Sequence, residues 1–146
     1  MLEYRKRWFA PHRLCIGGSF MERELFAKLE RWMNKKNRKP LIIQGARQVG
    51  KTWIMKEFGA RFYENTVYIN FDNNKAMKDV FELDFDLKRI LSAIKIEYGK
   101  SFQAENTLIV FDEIQEAPKA LASLKYFYEN APEYSIVAAG SLLGVA

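Results

Sequence analysis

The sequence predicts a doubly wound α/β fold, a parallel sheet covered by helices on both faces to give three layers. Three observations carry this. Four short apolar runs recur along the chain: Leu41-Ile42-Ile43, Thr66–Phe71, Thr107–Phe111 and Ser135–Ala139. Strands buried on both faces read as such continuous runs. Between them lie segments with apolar residues at helical spacing, the alternation that parallel strands require. Finally, a glycine-bearing stretch, Gly45 to Thr52, joins the first apolar run directly to a helical pattern.

The chain's 146 residues are enough for one domain with a real core. It is 49% hydrophobic and 28% charged, which excludes a disordered tail or low-complexity linker. No apolar run approaches the roughly 20 residues needed to span a bilayer. The single cysteine, Cys15, cannot form an internal disulfide, so nothing suggests an oxidising compartment and a cytoplasmic location is expected. The lone histidine, His12, has no Cys/His/Asp cluster around it, which argues against a zinc site. The net charge is +5, but residues 1–40 carry 11 Lys+Arg against 4 Asp+Glu, whereas residues 41–146 carry 12 against 14. The basic excess therefore belongs to the leading segment, and it reads better as a solvated helix face and loop than as a nucleic-acid arm.

Residues 1–20 show no sustained period and no secretory apolar core. We expect them to be an unstructured or spurious extension, with the biological chain beginning at Met21. Gly17-Gly18, just upstream, can be the translation of a purine-rich ribosome-binding site. From Met21 onward, Leu25, Phe26, Leu29, Trp32 and Met33 form one helical stripe. Leu41–Gln44 is expected to be a buried strand. Thr52–Phe58 reads as a helix, with Trp53, Ile54 and Phe58 at apolar spacing and Gly59 as its C-cap. Thr66–Phe71 is β-branched and aromatic, a second strand. Asn73-Asn74 reads as a turn. A helix from about Asp86 places Leu87, Ile90, Leu91 and Ile94 on one face. Thr107–Phe111 is the third strand. Pro118 suits a helix first turn, and Leu121, Leu124 and Tyr128 continue that helix. Tyr126, Phe127 and Tyr128 read as packing residues. Ser135–Ala139 is the fourth strand.

The chemistry lies at two strand ends. Gly45-Ala46-Arg47-Gln48-Val49-Gly50-Lys51-Thr52 matches G-x-x-x-x-G-K-[ST], the Walker A phosphate loop. The glycines let the backbone aim successive N–H groups at phosphate oxygens, and the helix that opens there adds the positive end of its dipole. Lys51 supplies a charge for the β- and γ-phosphates, and the Thr52 hydroxyl is placed to ligate Mg²⁺. Asp112-Glu113 follows the apolar run Leu108–Phe111. Two adjacent carboxylates at a buried strand end repel one another unless a cation is near, and a magnesium nucleotide answers that. In this Walker B reading Asp112 holds the metal and Glu113 activates water as general base. A GTP-binding variant is disfavoured: Gln115 stands where Asp-x-x-Gly would need glycine, and Asn74-Lys75-Ala76-Met77 lacks the guanine-reading aspartate. The expected ligand is ATP with Mg²⁺.

GARQVGKT, INFD, LIVFDEIQEAP and VAAGS together resemble a large prokaryotic group of AAA+-type ATP-binding proteins, from about Met21 to the end of the chain. The resemblance implies ATP hydrolysis by the full-length family. It also implies a polar residue after the fourth strand that helps orient water and sense the γ-phosphate; here Ser141 holds that place, with a plain strand-end turn as the alternative reading. Gln115 is implied to belong to the catalytic surroundings. The family's sheet order is 5-1-4-3-2, and its members continue into a fifth strand, a helical lid with arginines, and a C-terminal domain. On this comparison the chain is expected to be a partial domain, residues 21–146, truncated after the fourth core strand. Leu41–Ile43 would then be an unpaired edge prone to self-association or to rejoining the missing part. Competing expectations are a non-hydrolysing nucleotide-binding remnant and a nucleic-acid-binding module led by residues 1–40.

Overall fold

The structure is a computed structural model that describes residues 20–45 and 50–141. Four strands, β1 (Leu41–Gln44), β2 (Asn65–Asn70), β3 (Thr107–Asp112) and β4 (Ser135–Gly140), form one sheet in the order β1-β4-β3-β2. All three pairings are parallel. Among the described residues five α-helices cover the sheet: α1 (Phe20–Met33), α2 (Lys51–Phe62), α3 (Lys75–Leu83), α4 (Leu87–Tyr98) and α5 (Pro118–Asn130). The expected doubly wound, three-layer α/β architecture is what the chain adopts.

Successive strand residues point to opposite faces, and this parity divides the core in two. Leu108, Val110, Val137 and Ala139 face α1 and α2, where Phe26, Leu29, Ile54, Met55 and Phe58 fill the layer. Ile109, Phe111, Ile136 and Ala138 face α3, α4 and α5. Every residue of β3 and β4 is buried, which explains their unbroken apolar character. On the first face the Phe58 ring lies 5.0 Å from Phe62 and 5.7 Å, edge-on, from Phe26. On the second, Phe71, Phe81 and Phe111 form a mutually edge-to-face trio. Burying each such ring stabilises the fold by about 1.5–3 kcal/mol.

Several local expectations need correction. Gly59 does not end its helix; α2 runs on to Phe62. A Cβ on Gly59 would stand 2.2 Å from Thr66 Oγ1, so the glycine is there because α2 crosses β2 at close range. Trp53 is 51% exposed on the outer side of α2, whereas Ile54 and Phe58 are fully buried. β1 is less buried than its apolar run suggests: only Ile43 is in the core, and Ile42 is 40% exposed. The strand pairs with β4 alone among the described residues. Helix α3 was not legible in the sequence as a helix. Its N-cap is Asn74, whose Oδ1 accepts from the Met77 N–H at 3.0 Å, so the expected turn is a helix start. In α5 the core is met by Ala120, Ser123, Leu124 and Phe127, while Tyr126 stacks on Phe85.

Among the described residues no helix is long and apolar enough to cross a membrane. Ala46, Arg47, Gln48 and Val49 lie outside the described residues, as do His12, Cys15 and most of the segment 1–20 expected to be an extension.

Candidate phosphate-binding site

In open α/β sheets, ligands bind beyond the carboxyl ends of the strands, where connections leave for opposite faces. Here the connection after β1 leads to α2 on one face, and the elements after β3 lead to α5 on the other. The described part of the first motif, Gly45 and Gly50–Thr52, therefore meets Asp112-Glu113 at the carboxyl end of the sheet.

Gly45, just after β1, has φ 153°, and Gly50, the N-cap of α2, has φ 70° and ψ 25°. Both lie in backbone space that a Cβ disfavours, and this permits the sharp entry into α2. Lys51 is the first helical residue and is only 6% exposed. Its Nζ donates to Gly45 O at 2.8 Å and to Gly140 O at 3.3 Å. Because β1 and β4 are neighbours, with Gln44 level with Gly140, the ammonium sits between the ends of two adjacent strands.

Thr52 Oγ1 donates to Asp112 Oδ2 at 2.6 Å. Asp112, 3% exposed, ends β3. Its Oδ1 accepts from the Glu113 N–H at 2.9 Å, and its Oδ2 also accepts from Tyr68 Oη at 2.5 Å. Burial, followed by the bond to Asp112, pushes the Tyr68 phenol well above its ordinary pKa. Glu113 adopts φ 52°, ψ 46°, a left-handed conformation that costs a residue with a side chain on the order of 1 kcal/mol or more and that clusters at functional sites. The carboxylate of Glu113 accepts from Gln115 Nε2 at 2.6 Å, and Gln115 Oε1 accepts from the Ser141 N–H at 3.2 Å. Gly140 makes room for this bridge: a Cβ there would stand 2.6 Å from Gln115 Oε1.

Lys51, Thr52, Asp112, Glu113 and Ser141 thus converge at one end of the sheet. Gln115 joins Glu113 to the Ser141 backbone. Tyr68 was missed in the sequence. Its signal is the period of 2: Tyr68 pairs with Val110, so it shares a face with Asp112 two residues on, a diagonal within reach of a long aromatic side chain.

The described residues contain no group of three or more His, Cys, Asp or Glu side chains that could hold a metal on their own. The Thr52 hydroxyl and Asp112 carboxylate are hard oxygen donors held side by side. That set suits Mg²⁺, which takes few protein ligands and completes its octahedron with water and phosphate.

Fold and site together define a P-loop NTPase-like α/β domain. Residues 37–146 match the family described as AAA domain, and the chain belongs to that family. Membership makes it an AAA-type, P-loop-ATPase-like domain and points to nucleotide binding. The match begins after α1, later than the likeness read from Met21. No curated protein matches the chain.

Proposed function

We propose that the chain binds MgATP at the carboxyl end of its sheet, as part of an AAA+-type ATPase. The observation that carries this reading is the meeting of Lys51, Thr52 and Asp112. A buried ammonium on two strand-end carbonyls stands beside a hydroxyl–carboxylate pair, at the start of a helix whose N-terminal amides favour anions. In this reading Gly45, Ala46, Arg47, Gln48, Val49 and Gly50 wrap the triphosphate with backbone N–H groups, and Lys51 moves from carbonyls to phosphate oxygens. Thr52 and Asp112 would hold Mg²⁺, which when bound would neutralise phosphate charge. Glu113 orients and deprotonates the attacking water, and Gln115 holds Glu113. Ser141 lies at the tip of β4 where it can contact the γ-phosphate.

The test is a calorimetric titration of MgATP into the chain, with Lys51→Ala alongside and circular dichroism to confirm folding. Saturable binding that is lost or strongly weakened in the variant supports the reading. A folded chain that binds no ATP, or one that binds equally well without Lys51, overturns it. Steady-state phosphate release then separates a hydrolase from a binding module without turnover.

A further inference from the structure

Among the described residues, Tyr68 is the one side chain outside the two motifs that hydrogen-bonds the carboxylate of Asp112. It comes from β2, which lies at the opposite side of the described sheet from β1, with β4 and β3 between them. Its hydroxyl donates to Asp112 Oδ2, the same oxygen that accepts from Thr52. Oδ1 is turned toward the Glu113 amide. A carboxylate oxygen offers about two lone-pair sites, so the two hydroxyls fill Oδ2, and the remaining lone pair of Oδ1 is left for a metal-bound water. Without Tyr68, Asp112 has one side-chain donor instead of two and is free to rotate about its χ2 angle, which is intrinsically soft. The ring is partly buried: it packs against the core shared by β3 and α2, and Lys56 Nζ lies 4.0 Å from its centroid. A fixed phenol is thus aimed at a buried acid.

We infer that Tyr68 is a positioning residue for the divalent cation, orienting Asp112 and, through their shared oxygen, Thr52. This rests on the MgATP reading above and extends it to the second strand. Hydrogen-bond partners of metal ligands commonly alter metal affinity by about tenfold or more when removed. The phenol contributes no ligand of its own. Its effect falls on the metal requirement, leaving the phosphate contacts of Lys51 and the loop in place.

The experiment is a titration of Mg²⁺ against the full chain with a fluorescent ATP analogue, reading the metal concentration at half-maximal binding. It compares the parent, Tyr68→Phe and Thr52→Ala. Tyr68→Phe keeps the ring under Lys56 and removes only the hydroxyl. It is expected to bind the metal-free analogue within about twofold of the parent and to need roughly tenfold more Mg²⁺; Thr52→Ala is expected to need at least as much. An unchanged midpoint in Tyr68→Phe, with the midpoint raised in Thr52→Ala, overturns the role of Tyr68 and leaves the nucleotide site standing. A midpoint that falls in Tyr68→Phe also overturns it, since the hydroxyl would then compete with the metal. A parent whose binding ignores Mg²⁺ overturns the metal assignment of Thr52 and Asp112, and the role of Tyr68 with it.

Discussion

Thr52 and Asp112, sixty positions apart in the chain, are joined by a 2.6 Å hydrogen bond between the hydroxyl of the first and Oδ2 of the second. The bond locks the first turn of α2 to the end of β3 and presents two oxygens side by side. Thr52→Val keeps the shape and removes the donor. Because the acceptor is a carboxylate, it should cost about 1.5–3 kcal/mol in thermal or urea unfolding, and it should raise the Mg²⁺ requirement for ATP binding, measured by the same metal titration. Unaltered metal dependence would dissociate the pair from the cation.

Lys51 is buried, and its ammonium donates to the carbonyls of Gly45 and Gly140. On the proposed MgATP reading, Lys51→Ala removes charge-assisted contacts to phosphate, a loss of about 1.5–3 kcal/mol. Calorimetry should show ATP affinity weaker by roughly tenfold to a hundredfold.

Glu113 is held by Gln115 in a left-handed backbone conformation beside Asp112. Glu113→Gln preserves the shape and removes the proposed base. ATP affinity should stay within about twofold while phosphate release falls by on the order of 10²–10⁴. Equal turnover by the variant would remove Glu113 from the chemistry.

Gly59 tests the packing that sets α2 against the sheet. In an open helix Gly→Ala stabilises by about 1 kcal/mol. Here the added methyl would meet Thr66 Oγ1 at 2.2 Å and Cγ2 at 2.7 Å, and overpacking of this kind costs about 1–3 kcal/mol. Gly59→Ala should therefore lower the melting temperature, and Thr66→Ala in the same chain should recover part of the loss.

Asn74 offers a separate measure of helix α3. Its side chain accepts from Met77 N–H and donates to Glu97 Oε1 at 2.8 Å. Asn74→Ala should cost about 1 kcal/mol in urea unfolding, while Asn74→Ser keeps a capping oxygen and loses less.

Much of the fold was legible because its strands are buried on both faces. Thr107–Phe111 and Ser135–Ala139 have no polar residue that would break an apolar run in the middle, and the structure buries them throughout. The helices with a full stripe, α1 and α4, were equally plain: Phe26, Leu29, Trp32 and Met33 are buried in the first, Ile90 and Ile94 in the second. Helix α3 was hidden because nine residues carry only Met77 and Phe81 as buried positions, too short a stripe to stand out. Gly59 misled because glycine most often ends helices, and only the proximity of β2 shows its other use.

The sequence by itself determined the two motifs, the alternation of strand and helix, and the order in which they occur, because each is written in local spacing and residue type. Tertiary structure alone decided what meets across the sheet. The parallel register brings Tyr68 diagonally onto Asp112 and sets Gln44 level with Gly140, so that Lys51 reaches both strand ends. It also places Gln115 between Glu113 and Ser141. The bonds Gln115–Ser141, Tyr68–Asp112 and Lys51–Gly140 join residues 26, 44 and 89 positions apart, and hydrogen bonding at that range depends on register and side-chain direction, which no local pattern records.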